Sequence, residues 1–158
     1  MSENPSQQGF LTRAIELAAE AATGGNRPFG AVLVDAGGAV LAEGRNEVAS
    51  AGDVTAHAEL DAISRATADG HADRFAGATM YASGEPCPMC ATACVWAGVT
   101  RIVFAASTAG FSTFLTEGPH FTLTCADVIA ATDADVTVIG GVQETEALRV
   151  MRTAVTSR

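Results

Sequence analysis

The spacing of apolar side chains in the first part of the chain predicts one helix followed by two strands. Over residues 10–22, apolar positions recur every three or four residues with charged side chains between them. This is typical of an amphipathic helix, which the Gly24-Gly25 pair would end. The apolar run 30–34 predicts a strand, and an Ala-Gly-Gly turn leads into a second strand at about 39–43. We expect these two strands to form a hairpin.

Farther along the chain, helix-like and strand-like patterns alternate. Residues 56–68 are predicted to form a helix that Thr55 caps, with Leu60 and Ile63 on its buried side. The remaining predicted elements are strands at 79–82, 101–105 and 136–139 and helices at 88–97, 125–131 and 143–155. This alternation indicates an α/β sandwich with helices on both faces of one sheet, whereas residues 107–122 show no clear period.

Length and composition limit the class of protein. The 158 residues are enough for one domain, which we place at 1–158, and 48% of them are hydrophobic. That content is too high for a disordered chain, and the longest apolar runs are too short to span a membrane. The net charge is −9, and all nine basic residues are scattered arginines. An acidic chain without a basic stripe is a poor match for nucleic acid.

The opening residues and the cysteines indicate a compartment. Residues 1–8 are polar and lack the layout of a signal peptide. Four cysteines in a chain that is not exported suggest reduced thiols or metal ligands rather than a disulfide framework. We therefore expect the protein to be cytoplasmic.

Two short motifs carry the chemistry. The first is His57-Ala58-Glu59, and the second is Pro86-Cys87-Pro88-Met89-Cys90, which begins about thirty residues later. Taken alone, a histidine near a helix start is often a capping or surface residue, and a C-x-x-C motif can be a redox pair. Together they are more specific. With Pro88 in the first helical position, both sulfurs lie at one helix end, where unpaired N–H groups favour thiolates.

Zinc binds deprotonated sulfur and neutral imidazole, so His57, Cys87 and Cys90 form a candidate ligand set. Three protein ligands leave the fourth tetrahedral position for water, which is the arrangement of a catalytic site. Zinc lowers the pKa of bound water from 15.7 toward about 7, so hydroxide is available at neutral pH. Glu59 is placed beside that water, where its carboxylate can take up and deliver a proton as a general acid and base.

The order H-x-E followed by P-C-x-x-C resembles that of the cytidine deaminase-like superfamily. Within it, the chain is similar to the branch of guanine deaminases, fungal-type cytosine deaminases and tRNA adenosine deaminases. The resemblance covers about residues 27–106 and includes the strings 28–34 and 44–46 as well as both motifs. It implies a three-layer α-β-α sandwich with a mixed five-stranded sheet. It also implies one Zn²⁺ per chain on the three ligands, Glu59 as the catalytic residue, and a homodimer.

The resemblance also suggests residues that bind substrate. Asn46 matches an asparagine that hydrogen-bonds the bound base, Phe29 matches a pocket wall, and Ala58 lies between the two functional residues of its motif. In the segment 107–122, three more residues are candidates, each with an alternative. Phe111 and Phe114 either stack on a flat heterocycle or anchor the loop to the core. Glu117 either accepts hydrogen bonds from a guanine-like base or is a solvated carboxylate.

The leading hypothesis is therefore a zinc aminohydrolase of a small free heterocyclic base, most similar in its motifs to bacterial guanine deaminases. The alternatives are deamination of cytosine, a related aminopyrimidine, an aminotriazine or a nucleoside. Deamination of tRNA adenosine is disfavoured by the few basic residues, and a non-catalytic zinc module is disfavoured by Glu59.

Expected partners are the base, water and a second copy, with no membrane and no nucleic acid. Trp96 is expected to be packed or at a subunit contact, and Cys94 to lie in the core.

Overall fold

A five-stranded mixed sheet forms the centre of the molecule, which a computed structural model describes for residues 4–157. The strand order is β2-β1-β3-β4-β5. The pairs β1–β2 and β1–β3 are antiparallel, and β3–β4 and β4–β5 are parallel. The strands are β1 (Gly30–Val34), β2 (Val40–Arg45), β3 (Thr79–Gly84), β4 (Arg101–Ala106) and β5 (Thr137–Ile139). The predicted α/β class, the hairpin and the five strands are confirmed.

Helices cover both faces of this sheet. They are α1 (Pro5–Thr23), α2 (Val48–Ala51), α3 (Ala58–Ala68), α4 (Pro88–Ala97), α5 (Thr108–Phe111), α6 (Cys125–Ala130) and α7 (Glu144–Thr156), with a 3₁₀ turn at Ala72–Arg74. Helices α1 and α7 pack on one face, and α3 and α4 on the other, with α6 against α4. Within residues 4–157, none of the helices combines the length and the apolar composition that crossing a membrane requires.

Alternate side chains of the strands supply two separate cores, as the period of a strand requires. Leu33, Met80 and Ile102 are buried with α3 and α4. Tyr81 and Val103, which point the other way, are buried with α1 and α7. The sheet is therefore the middle layer of three, as expected for the α-β-α sandwich.

The first helix begins earlier than its apolar period indicates. Asn4 caps it, because its side chain accepts from the Gln7 backbone N–H while the Gln7 side chain accepts from the Asn4 N–H. Pro5 occupies the first turn, where its missing N–H costs no helical bond. The prediction of a start at residue 10 was wrong because residues 5–9 (Pro-Ser-Gln-Gln-Gly) carry no large apolar side chain and so add no hydrophobic signal. Residues 1–3 of the polar opening and Arg158 lie outside the described residues.

Helix α3 rests on the sheet through small side chains rather than large ones. Ala62 and Ala66 are buried, whereas the predicted contacts Leu60 and Ile63 are only partly buried. The reason is the close approach to β2, where a Cβ on Gly44 would lie 2.1 Å from the carbonyl oxygen of Ala58. Glycine and alanine at this contact therefore bring the start of α3 against the end of β2, and this start carries the functional motif.

Candidate active site

His57 lies at the start of α3 but outside the helix itself. It is the N-cap residue, with extended backbone angles (φ −76°, ψ 156°), and its carbonyl accepts the first helical bond, from Asp61. The predicted cap, Thr55, instead donates its hydroxyl and its N–H to the carboxylate of Asp53. Because the backbone is extended at His57 and helical at Glu59, both side chains can face the same region although they are only two residues apart.

The second motif forms the start of α4, as its prolines predict. Cys87 is the N-cap, Pro88 is the first helical residue, and Cys90 is buried one turn later. The helix ends at Gly98, whose φ of 91° is in the left-handed region that favours glycine. Cys94, one turn beyond Cys90, is buried in the core as expected.

The structure brings the three candidate ligands together. The Nδ1 atom of His57 lies 3.6 Å from the sulfur of Cys87 and 3.6 Å from the sulfur of Cys90. All three ligand atoms lie within 4.8 Å of one another, and no other such group occurs in residues 4–157. One imidazole nitrogen and two sulfurs are the soft donor set that Zn²⁺ prefers, and a tetrahedral ion about 2.0–2.3 Å from each would fit this spacing.

The protonation of the two sulfurs also fits a cation. A hydrogen bond from Cys90 lowers the pKa of Cys87 to about 4, so the Cys87 sulfur is a thiolate at neutral pH. The same bond and burial raise the pKa of Cys90. Without a metal, the pair therefore shares one proton, and a bound dication would displace it to give two thiolates.

Glu59 is the buried acid of this group. Its residue is 5% exposed, and burial raises the pKa of its carboxyl group, with the charge of Cys87 acting in the same direction. A hydrogen bond with Cys90 and the charge of His57 act in the opposite direction. A carboxyl group with a raised pKa beside a metal site can exchange a proton with substrate at neutral pH.

A cavity of about 490 Å³ opens beside this cluster, within the size range of small-molecule sites. It lies where the start of β1, the end of β2 and the starts of α3 and α4 meet. Its lining includes Glu59 and the ligands His57 and Cys87. The segment after β4 contributes much of the rest: Thr108, Phe111, Ser112, Leu115, Glu117, Gly118, Pro119, His120, Phe121 and Leu123.

Four of the predicted substrate-binding residues line the interior of this cavity: Phe29, Asn46, Ala58 and Phe111. The rings of Phe29 and Phe111 meet edge to face, with centroids 5.2 Å apart. The side-chain oxygen of Asn46 accepts from the Val48 N–H. That bond fixes the orientation of the amide, so its nitrogen is the group available to donate to a ligand.

The remaining two predictions have different outcomes. Glu117 lines the cavity but is exposed to solvent, so both interpretations of this residue stay open. Phe114 does not line the cavity. Its ring packs against the core on the α1 and α7 face, and the guanidinium of Arg152 lies 4.4 Å from its centroid. The prediction of substrate contact is thus wrong for Phe114, and its alternative role as a core anchor is supported.

Sequence reasoning missed two charged residues of the cavity. Arg27 lies with its guanidinium 5.4 Å from the centre of the Phe29 ring. Glu85 lies between β3 and Cys87, and each of its oxygens accepts from a backbone N–H, one of Thr108 and one of Cys125. The position of Glu85 beside the cysteine motif was the one sequence signal that could have marked it as functional. Its hydrogen-bond partners could not be predicted, because they lie 23 and 40 residues away in the chain.

Comparison with protein families agrees with this geometry. Residues 4–106 match the family described as the cytidine and deoxycytidylate deaminase zinc-binding region. Guanine deaminase from Bacillus subtilis is 45% identical over 98 residues, which are 61% of this chain and 62% of that protein. A probable cytosine deaminase from Schizosaccharomyces pombe is 32% identical over 142 residues, covering 88% of this chain and 86% of that protein.

Solved structures give the same result for the whole fold. Guanine deaminase from Nitrosomonas europaea superposes with a TM-score of 0.81 at 25% identity, over 99% of this chain and 87% of that one. A tRNA:A34 deaminase superposes with a TM-score of 0.74 at 30% identity, over 90% of this chain and 98% of that one. The family match includes both motifs and most of the sheet. The chain therefore belongs to the cytidine and deoxycytidylate deaminase zinc-binding family.

Proposed function

We propose that the protein is a zinc-dependent hydrolytic deaminase of a small free heterocyclic base, with a guanine-type purine as its substrate. The observation that carries this proposal is the buried carboxyl group of Glu59 beside a three-ligand metal site at the wall of a cavity. A structural zinc site has four protein ligands, whereas this one offers three. A non-catalytic module would not need the open position.

The reaction replaces the exocyclic amine of the base with oxygen from water. When bound to His57, Cys87 and Cys90, zinc supplies a water molecule of lowered pKa. Glu59 would take a proton from that water and give it to the ring nitrogen beside the amino-bearing carbon, and the water oxygen would add to that carbon. Glu59 would then take the second proton from the added hydroxyl group and pass it to the amine, so that the C–N bond breaks, a carbonyl group forms and ammonia leaves. The raised pKa of Glu59 suits a group that must hold and release a proton in one cycle.

The walls of the cavity suit a flat, uncharged ring with hydrogen-bonding edges. Phe29 and Phe111 offer aromatic surface, and aromatic pairs or stacks contribute about 0.5–1.5 kcal/mol beyond burial. The amide nitrogen of Asn46 can donate a hydrogen bond to a ring nitrogen or a carbonyl oxygen of the base. Glu117 offers acceptor oxygens at the exposed side, where the 2-amino group and ring N–H of a guanine are donors.

The relatives act on three classes of substrate, which are guanine, cytosine and tRNA adenosine, and two observations favour guanine for this chain. The chain is 45% identical over 98 residues to a guanine deaminase, which is higher than its 32% identity to the cytosine deaminase. The net charge of −9, without a lysine, is unfavourable for a folded RNA, which counts against tRNA adenosine. Cytosine is the second candidate, because the similarity to the cytosine deaminase extends over 88% of this chain.

We also propose that the enzyme is a single-domain homodimer of the cytoplasm. None of its four cysteines forms a disulfide, which supports a reducing compartment. Trp96 is 86% exposed on α4, a helix that is apolar on nearly all sides, so of its two predicted alternatives packing within the chain is excluded and a subunit contact remains. Met89, Phe121 and Leu123 are large apolar side chains that are also exposed. A second copy covering this surface would remove it from water.

A substrate panel tests the proposal. Zinc-loaded protein is given guanine, cytosine, adenine, their nucleosides and an aminotriazine, and ammonia release is followed together with the ultraviolet spectrum of the product. We expect the highest kcat/KM for guanine, with xanthine as product. A higher value for cytosine would replace guanine with the second candidate, and no release from any compound would refute the free-base function.

A further inference from the structure

The carboxylate of Glu85 joins three separate segments of the chain. Its Oε1 accepts from the Thr108 N–H at 3.0 Å, and its Oε2 accepts from the Cys125 N–H at 2.9 Å. Its own backbone N–H donates to the carbonyl of Ala106 at 2.8 Å. Glu85 is half-buried and directly precedes Pro86 and the ligand Cys87. One side chain therefore ties the metal-binding segment to both ends of residues 109–124.

The segment between these two ends forms a wall of the cavity. Its first part is anchored independently, because Leu115 is buried and Phe111 packs against Phe29. Residues 116–124 are all exposed, although six of them, residues 117–121 and 123, line the cavity. The two ring nitrogens of His120 lie 3.1 Å from the carbonyl oxygens of Gly118 and Leu115. These contacts join neighbouring residues of the segment and do not attach the segment to the sheet.

The two N–H donors are the first residues of α5 and α6. Such N–H groups have no partner within their own helices, so Glu85 satisfies two donors at once. Hydrogen bonds to a charged acceptor are roughly twice as strong as neutral ones. One carboxylate therefore links the two helix starts to each other, in addition to the bonds from Ser107 to Glu144 at the start of α5 and the burial of Cys125 at the start of α6.

We propose that Glu85 is a positioning residue for substrate binding, which clamps both ends of residues 109–124 so that this segment closes over the bound base beside Glu59. This role rests on the proposed function, because it assigns the segment to the substrate. Glu85 does not take part in proton transfer. Its loss should weaken binding of the base much more than it slows the chemical step.

Two substitutions remove the clamp in different ways. Glu85→Gln keeps the size of the side chain but leaves one acceptor oxygen, so one of the two N–H groups faces an amide nitrogen instead. Thr108→Pro removes only the N–H at that end. Proline is tolerated at the first helical position, and the preceding Ser107 has the extended angles (φ −70°, ψ 153°) that proline favours. Thr108→Ala keeps the N–H and is the matched control, and the exposed Glu146→Gln is a control for charge.

Hydrogen exchange of the zinc-loaded protein without substrate tests the clamp directly. We expect faster exchange in peptides that cover 109–124 for Glu85→Gln and Thr108→Pro, and wild-type exchange for both controls. In the double variant, Thr108→Pro should add little to Glu85→Gln, because both break the same contact. Wild-type exchange of 109–124 in Glu85→Gln and in Thr108→Pro would overturn the proposal.

Kinetics with guanine test the functional part. We expect KM to rise about tenfold in Glu85→Gln, the effect of losing roughly one charged hydrogen bond, with kcat within about threefold and zinc content unchanged. A fall in kcat with unchanged KM, or loss of zinc, would overturn the positioning role. If the wild type turns over none of the bases, the proposed function fails, while the exchange experiment still decides whether Glu85 clamps the segment.

Discussion

The Nδ1 atom of His57 lies 3.6 Å from the sulfur of Cys87, although 30 residues separate them in the chain. Each is the N-cap of its helix, and both helices pack on the same face of the sheet. The N-cap backbone is extended, so each side chain projects beyond its helix end toward the other. The metal site is thus a consequence of two helix starts that meet above the end of β3.

Removal of a ligand should empty the metal site. We expect wild-type protein to carry about one zinc per chain and Cys87→Ala to carry less than a tenth of that, because two remaining ligands bind Zn²⁺ weakly. Elemental analysis after dialysis measures this. Cys94→Ala is the control, since Cys94 is a core thiol one turn farther along α4 and should leave zinc content unchanged. Full zinc in Cys87→Ala would contradict the ligand assignment.

The close contact between β2 and α3 should tolerate no side chain at Gly44. A Cβ there would lie 2.1 Å from the Ala58 oxygen and 2.6 Å from the Ala62 nitrogen, both backbone atoms that cannot move alone. We expect Gly44→Ala to lower the free energy of unfolding by about 2–4 kcal/mol, measured by urea denaturation.

Gly9→Ala is the matched control for this prediction. Gly9 is exposed in α1 with nothing within 4 Å of an added Cβ, so alanine should raise stability by about 0.5–1 kcal/mol. Equal effects of the two substitutions would mean that contact with α3 does not explain the glycine at position 44.

The amide nitrogen of Asn46 is expected to bind the base. Asn46→Asp keeps the oxygen that accepts from the Val48 N–H but exchanges the donor for an acceptor. We expect kcat/KM for guanine to fall about tenfold or more, since a buried acceptor of the base would lose its partner. Steady-state kinetics measure this.

Asn26→Asp provides the comparison, because Asn26 also accepts from backbone N–H groups, those of Ala49 and Ser50, but does not line the cavity. It should leave kcat/KM unchanged. If Asn46→Asp also retains wild-type kinetics, Asn46 is a structural residue of the α2 turn only.

The exposed indole of Trp96 should lie in a subunit interface. We expect light scattering after size exclusion to give about twice the 16.0 kDa of one chain for the wild type. Trp96→Glu would bury a charge without a partner in that interface and should give monomers. The exposed Thr67→Glu, on α3, adds the same charge elsewhere and should remain dimeric. A monomeric wild type would contradict the homodimer.

The spacing of residues along the chain was sufficient to predict the sheet and both motifs. It also predicted the start of α4, because a proline marks the beginning of this helix and a glycine marks its end. The start of α3 was placed two residues too early because the N–H and hydroxyl of Thr55 both donate to Asp53, which holds Thr55 in a turn before the helix, and sequence pattern alone does not reveal this turn. The prediction of the buried face of α3 was only partly right: Ile63 packs against the core, but the fully buried residues are alanines. Their burial depends on the close approach that Gly44 on β2 permits.

Residues of the segment after β4 could not be assigned from the sequence for a different reason. Phe111 and Phe114 are three residues apart with the same side chain, yet only Phe111 lines the cavity. Which ring faces the cavity depends on the packing of α7, where Arg152 lies over Phe114. The role of Glu85 depends on two N–H groups that only the folded chain brings together.

The central claim is that the buried carboxyl group of Glu59 transfers protons during deamination at a zinc site. The most direct test is ammonia release from guanine by wild-type and Glu59→Gln protein at equal, measured zinc content. Glutamine has the same size but cannot exchange a proton, so we predict full zinc and a rate reduced by about 10²–10⁴-fold. Turnover of guanine by Glu59→Gln at the wild-type rate would contradict the account.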